Sequence, residues 1–229
     1  MVLPKLVLLF FALFSFTVIG SVEEKPFEAY SFKMSDYEQR KFFEHIQDRL
    51  PQWQELFQKY SKEYKIPWTL LAAVAYQESK WDEEATSHTG VKGLMQITMK
   101  TAEHLGLQDR EDPTQSIQGG AYYLKYLFNK TPHHLSNYER WTQALSAYNM
   151  GWAHVRDARH LAIQLKHNPY RWSELRKILP KLEETKYNTQ LKFGAARGRE
   201  TVEFVDNVIG YYTVLNKTFT RQLLTSRDF

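Results

Sequence analysis

The chain has 229 residues, of which 43% are apolar, 15% aromatic and 24% charged, a composition that supplies one substantial core and excludes a disordered chain. It has no cysteine, which excludes disulfide stabilisation and a lipid anchor attached through an N-terminal cysteine. The formal charge of +4 favours anionic surfaces such as polymers and membranes without selecting one.

In residues 1–20 Lys5 is the only charge, and an apolar run from Leu6 to Ile19 is interrupted only by Ser15 and Thr17. A membrane span needs about 20 apolar residues; this shorter run has the form of a signal peptide, with cleavage expected after Gly20. An uncleaved N-terminal anchor is the alternative. Residues 21–65 are expected to be an extended lead-in followed by a helical preface. From Asp36 onward Phe42, Phe43, Ile46 and Leu50 recur at helical spacing, Pro51 interrupts, and Trp53, Leu56, Phe57 and Tyr60 resume. No stretch sustains strand alternation, so the expected fold class is mainly α.

Pro67 suits the first turn of a helix over "KIPWTLLAAVAYQES". Thr98 is placed to cap a helix through Ala102 to Leu105 that Gly106 ends. Asp112, Pro113 and Gln115 predict a capping box ahead of "SIQGGAYYLKYLF". After a loop at Pro132, "ERWTQALSAYN" puts Trp141, Leu145 and Tyr148 on one face and stops at Gly151. "WSELRKILP" is broken by Pro180, a long segment runs from about Glu200 to Leu215, and residues 216–229 read as a tail.

One residue is out of place in this pattern. Leu70, Val74 and Glu78 share a helical stripe, with Leu71 and Ala75 alongside, so Glu78 faces the apolar side. Burial there disfavours the charged form, raises the pKa and suits a general acid; the plainer reading is a carboxylate bending into water at a helix end. Downstream, "ATSHTGVKGLMQIT" has Gly90 and Gly93 around a tight turn and Gln96 among Leu94, Met95 and Ile97. Such a loop forms either one wall of a cleft or a piece of core.

Taken in order, "QES" at 77–79, Ser87 with Gly90, "GLMQI" at 93–97, "YYLKYL" at 122–127 and "ALSAYNMG" at 144–151 closely resemble the soluble-lytic-transglycosylase domain, in its transglycosylase-F branch. The resemblance is strong from Ile66 to Arg159 and looser from Lys186 to Val208. It implies a lysozyme-like helical domain over residues 66–215, with N- and C-terminal helical extensions. It also implies cleavage of the β-1,4 bond between N-acetylmuramic acid and N-acetylglucosamine in peptidoglycan. Glu78 then matches the single catalytic acid, which protonates the glycosidic oxygen and afterwards takes the proton of the sugar's C6 hydroxyl, closing a 1,6-anhydro ring. Ser87 matches a serine that holds substrate near the acid. Met95 and Gln96 match residues lining the sugar groove, and Tyr148 and Asn149 match the opposite wall. The partner implied is the glycan strand, with no nucleic acid and no cofactor. The implied location is exported, periplasmic or envelope-associated, with association to the membrane surface or a secretion apparatus left open. Transglycosylase-F relatives carry a solute-binding-like domain that residues 21–65 are too short to hold, so a stand-alone catalytic unit is expected.

Two features compete with that reading. Most glycosidases use two carboxylates about 5 to 9.5 Å apart, and Asp82, followed by Glu83 and Glu84, is the candidate second acid for a hydrolytic muramidase, the plainer reading of this acidic run being a solvated cluster at the start of a loop. Relatives also carry a tyrosine in a segment resembling "ETRNYV"; here "ETVEFV" puts Phe204 there, with Tyr211 or Tyr212 as alternative sources of a hydroxyl. A wall-binding protein of weak activity would fit that loss. The histidines, among them His133, His134, His154 and His160, lack metal-ligand spacing. Trp53, Trp68, Trp141 and Trp172 are read as packing, Trp81 beside Glu78 as packing or a sugar platform, and "ARGRE" at 196–200 as a solvated basic face or a contact for anionic glycan stems.

Overall fold

The computed structural model describes residues 32–225, with side chains through residue 220. The signal segment expected at 1–20 and most of the lead-in lie outside the described residues. Among the described residues the only strand-like pairing is an isolated bridge between Thr86 and Lys92; the fold is mainly α, as expected. No helix among them is long and apolar enough to cross a membrane.

Helix α1 (Asp36–Asp48) opens on a capping box in which Ser35 and Glu38 satisfy each other's backbone N–H groups. Helix α2 (Leu50–Tyr64) follows after the single joint residue Arg49, with Pro51 in its first turn rather than in a break. Helix α3 (Trp68–Ser79) follows Pro67 at its N-cap. The expected apolar stripe understates α3: every residue from Thr69 to Tyr76 is buried. A helix apolar all round is an interior helix, and here α2 packs on one side of it and a long C-terminal helix on another.

Helix α4 (Met99–Leu105) starts at Thr98, whose hydroxyl accepts the Thr101 N–H, and ends at Gly106. Helix α5 (Pro113–Lys130) is capped by Asp112, which accepts from the Gln115 N–H at 2.8 Å. The expected reciprocal half of that box is absent. Gln115 instead accepts the N–H groups of Gln108 and Asp109, tying down the preceding loop. Helices α6 (Asn137–Met150) and α7 (Trp152–Gln164) meet at Gly151. Helix α8 (Trp172–Ile178) runs into a 3-10 turn over Leu179–Glu183 that contains Pro180, and short α9 (Thr185–Asn188) follows. Helix α10 (Gly198–Thr225) starts before Glu200 and continues past Leu215.

The helical preface is built into this body. Phe42 of α1 lies 4.6 Å from Tyr76 of α3 and 4.8 Å from Tyr211 of α10, ring centre to ring centre, and Trp81 closes the cluster 4.5 Å from Tyr76. Such aromatic pairs contribute roughly 0.5–1.5 kcal/mol each beyond the area they bury. Trp53, Trp141 and Trp172 are buried as expected, and Trp68 packs edge-on to Phe219.

Candidate active site

Glu78 occupies the last turn of α3, and the chain reverses directly after it. Lys80 and Trp81 both adopt the left-handed conformation, at φ 55° and 58°. Left-handed residues without a glycine are uncommon, and three contacts hold this pair. The Trp81 indole donates to the Ala72 carbonyl at 2.8 Å, Trp53 donates to the Trp81 carbonyl, and Arg49 donates to the Lys80 carbonyl. Trp81 is thereby folded under α3, where it is 2% exposed; it is packing and not a sugar platform.

The reversal separates Glu78 from the acids that follow. Asp82 lies 3.6 Å from Arg49 and accepts the Glu84 N–H. Glu83 and Glu84 are exposed around a small cleft with Lys92 and Glu111. Glu78 is partly buried and has no hydrogen-bond partner among the described residues. Burial pushes its carboxyl up from an ordinary 4.5 to about 8, opposed by the nearby Lys80 ammonium and reinforced by the Glu200 carboxylate. The charge that reaches Glu78 from another carboxylate is therefore that of Glu200, not Asp82. Burial pushes Lys80 itself down to about 8 against the attraction of Glu38 and Glu78. Its Nζ rests over the Tyr76 ring at 4.7 Å and the Tyr211 ring at 5.2 Å.

The "GLMQI" loop stands opposite. Gly93 sits at φ +90°, and a Cβ there would come within 2.7 Å of the Arg110 carbonyl, so the turn requires glycine. Gln96, also left-handed, donates its side-chain amide to the carbonyls of Ala85 and Gly93, while its own Oε1 is buried without a partner. Its amide therefore braces the loop from within. Met95 is fully buried. Its side chain turns inward against Gly120, where a Cβ would lie only 2.6 Å from its Cε. What Met95 offers the site is its backbone, whose N–H donates to Ser116 and whose carbonyl accepts the Tyr148 hydroxyl at 2.8 Å.

That hydrogen bond joins α6 to the loop. Burial, then the charge of Glu78, then Tyr123 raise the Tyr148 hydroxyl well above its ordinary 10.0, so Tyr148 is neutral and within the field of the acid. Its ring lies between Tyr123, 5.6 Å away, and Phe204, which stacks on it at 6.5 Å and an interplanar angle of 10°. Phe204 thus supplies packing. Tyr211 sits in the α1–α3 ring cluster, and the charges acting on it are Glu38 and Glu203.

Asn149 faces α10, where its Oδ1 accepts the Thr201 hydroxyl at 2.7 Å. It lines a cavity of about 260 Å³ with Met150, His154, Ala196, Arg197 and Glu200. Ser87 sits in a turn where its hydroxyl accepts the Val91 N–H and contacts Thr89. The structure therefore brings Glu78, the Met95 backbone and Tyr148 together, turns the Met95 side chain into the core, and engages the Ser87 hydroxyl within its own turn. Lys80, Glu200 and Thr201 were not singled out in the sequence. Lys80 carried the one available signal, a charge two residues beyond the acid. Among the described residues no group of three or more histidine or acidic side chains is arranged to hold a metal ion.

The Transglycosylase SLT domain family matches residues 55–170, a span that contains all six of the residues assigned from the sequence. Membrane-bound lytic murein transglycosylase F of Pseudomonas putida (strain GB-1) is 44% identical over 182 residues, covering 80% of this chain and 38% of the relative. The protein of that name from Serratia proteamaculans is 48% identical over 174 residues, covering 76% and 35%. The chain thus spans well under half the length of these curated relatives. Among solved structures, lytic transglycosylase Slt of Pseudomonas aeruginosa aligns with a TM-score of 0.54 at 20% identity, over 72% of this chain and 24% of that one. The 70 kDa soluble lytic transglycosylase of Escherichia coli aligns at 0.51 and 23%, with the same coverage. These two likenesses speak for the fold, and the family match, which takes in half of the sequence, for descent: the chain belongs to the transglycosylase SLT domain family.

Proposed function

We propose that the protein is a lytic murein transglycosylase that cleaves the β-1,4 bond between N-acetylmuramic acid and N-acetylglucosamine and leaves a 1,6-anhydromuramic end. The observation that carries this reading is a partly buried carboxyl with no hydrogen-bond partner among the described residues, raised to about 8, whose neighbour in sequence Asp82 is engaged by Arg49. Near neutral pH Glu78 holds the proton a leaving glycosidic oxygen needs. As it gives that proton up, the C1–O bond breaks and the muramic N-acetyl oxygen stabilises the anomeric carbon. The Glu78 carboxylate then takes the C6 hydroxyl proton, and O6 bonds to C1. The acid is regenerated and no water is consumed. The nucleophile is tethered to the sugar, so proximity replaces a second carboxylate.

In this reading the groove runs between the "GLMQI" loop and the α6–α10 side. Gln96 and Gly93 keep the loop backbone in place, Tyr148 pins the Met95 carbonyl, and Asn149 and Ser87 contact sugar at the edges. The names of the relatives support the substrate class. The form of residues 1–20 supports export, and with it action in the periplasm or cell envelope. The ring cluster around Phe42 of α1 and the hydrogen bond from Trp53 of α2 to the Trp81 carbonyl support treating α1 and α2 as part of the catalytic body.

Product analysis tests the proposal. Purified peptidoglycan treated with the protein is expected to release muropeptides ending in 1,6-anhydromuramic acid, lighter by one water than hydrolysed ones. Reducing ends alone, read by mass spectrometry, would assign a muramidase instead.

A further inference from the structure

A second concave site lies on the outer face of α7. Trp152, Arg156, Arg159, His160, Ile163 and Tyr170 line a groove of about 280 Å³, near the lower limit of about 300 Å³ for small-ligand pockets. Arg156, Arg159, His160 and Ile163 follow helical spacing and so form one stripe. His154, on the other side of the same helix, faces the cavity beside Asn149 instead.

The groove is basic, and among the described residues no acid lines it. Between Trp152 and Arg171 the one acidic residue is Asp157; it is buried, and it accepts the Phe193 N–H. Among the described residues Arg156, Arg159 and His160 have neither an ion pair nor a hydrogen bond to an acid. The Arg159 guanidinium lies over the Tyr170 ring, 4.3 Å from its centre. That cation–π contact holds the guanidinium at the groove, where no acid among the described residues engages it and a carboxylate can be bound through two of its N–H groups. Ile163, 59% exposed, and Trp152 add an apolar wall beside the charges.

We propose that this groove binds the carboxylate-bearing peptide stems of peptidoglycan, at a distance from the bond being cut. The proposal rests on the reading of the protein as a peptidoglycan enzyme. A glycan strand is a repeating ligand, so one stem can occupy the groove while a bond elsewhere on the strand lies at Glu78. The joint at Gly151 links the groove directly to the helix that carries Tyr148 and Asn149.

The test is a binding measurement in the non-cleaving Glu78→Gln background. Purified glycan strands that keep their stems are compared with strands stripped of stems by an amidase, at low and high salt. Adding Arg156→Ala and Arg159→Ala is expected to weaken binding to stem-bearing strands about tenfold at low salt, the gap closing at high salt, with no change on stripped strands. Arg156→Ala alone, at an exposed position whose loss leaves the fold intact, is expected to weaken it about threefold. Equal binding of parent and groove variants to stem-bearing strands overturns the proposal. So does a parent that binds both strands equally, or one that binds phosphatidylglycerol vesicles and neither strand. A protein with Glu78 intact that releases no muropeptide from either strand would sink the catalytic reading instead, whatever the groove binds.

Discussion

Glu78 and Asp82 stand four residues apart and carry the same functional group, yet the fold treats them as opposites. Glu78 stands at the end of an interior helix with no hydrogen-bond partner among the described residues, and burial raises it to about 8. Asp82 lies beyond the left-handed pair Lys80–Trp81, beside Arg49, at the head of an exposed acidic loop. The difference lies in the reversal between them, which the Trp81 and Trp53 indoles hold by hydrogen bonds to backbone carbonyls. Chemical role here follows from surroundings rather than from residue type.

The contrast can be broken at either end. Glu78→Gln is expected to lower turnover of peptidoglycan by about 10²–10⁴-fold, the usual worth of a positioned acid–base group. Asp82→Asn should keep turnover within about twofold, because its partner is an exposed arginine. A large loss in Asp82→Asn, measured as release of muropeptides, would restore the two-carboxylate mechanism.

The two shifted groups also predict an unusual stability curve. Between pH 4.5 and about 8 the folded protein keeps the Glu78 proton that the unfolded chain releases, so stability falls as pH rises, by up to about 1.4 kcal/mol per pH unit. Between about 8 and 10.5 the unfolded chain holds a Lys80 proton that the folded protein releases, so stability rises again. Urea unfolding should show a minimum near pH 8 from these two groups. Glu78→Gln should remove the falling limb and Lys80→Met the rising one. The smallest expected effect belongs to Glu200→Gln. Removal of its charge should move the alkaline limb of the pH–rate profile to slightly lower pH, with products unchanged.

Local features carried most of the fold in the sequence. The caps at Thr98 and Asp112 and the stops at Gly106 and Gly151 depend on neighbours a few residues away, and each stands where the spacing put it. Burial of α3 on every side was not legible, because stripe arguments assume a helix with one wet face. At the site, periodicity marks Glu78 as out of place, and the order of the motifs implies which residues accompany it. The inward turn of Met95 onto Gly120, the field of Glu200, and the stacking of Phe204 on Tyr148 join residues distant in sequence. No pattern within one helix encodes them.

The measurement that reaches the central claim most directly is a carboxyl-carbon NMR titration of glutamate-labelled protein, with Glu78→Gln used to assign the Glu78 resonance. The midpoint expected for Glu78 is near 8. A midpoint within the ordinary carboxylate range, about 4 to 5, would contradict it and leave Glu78 without a proton to give at neutral pH.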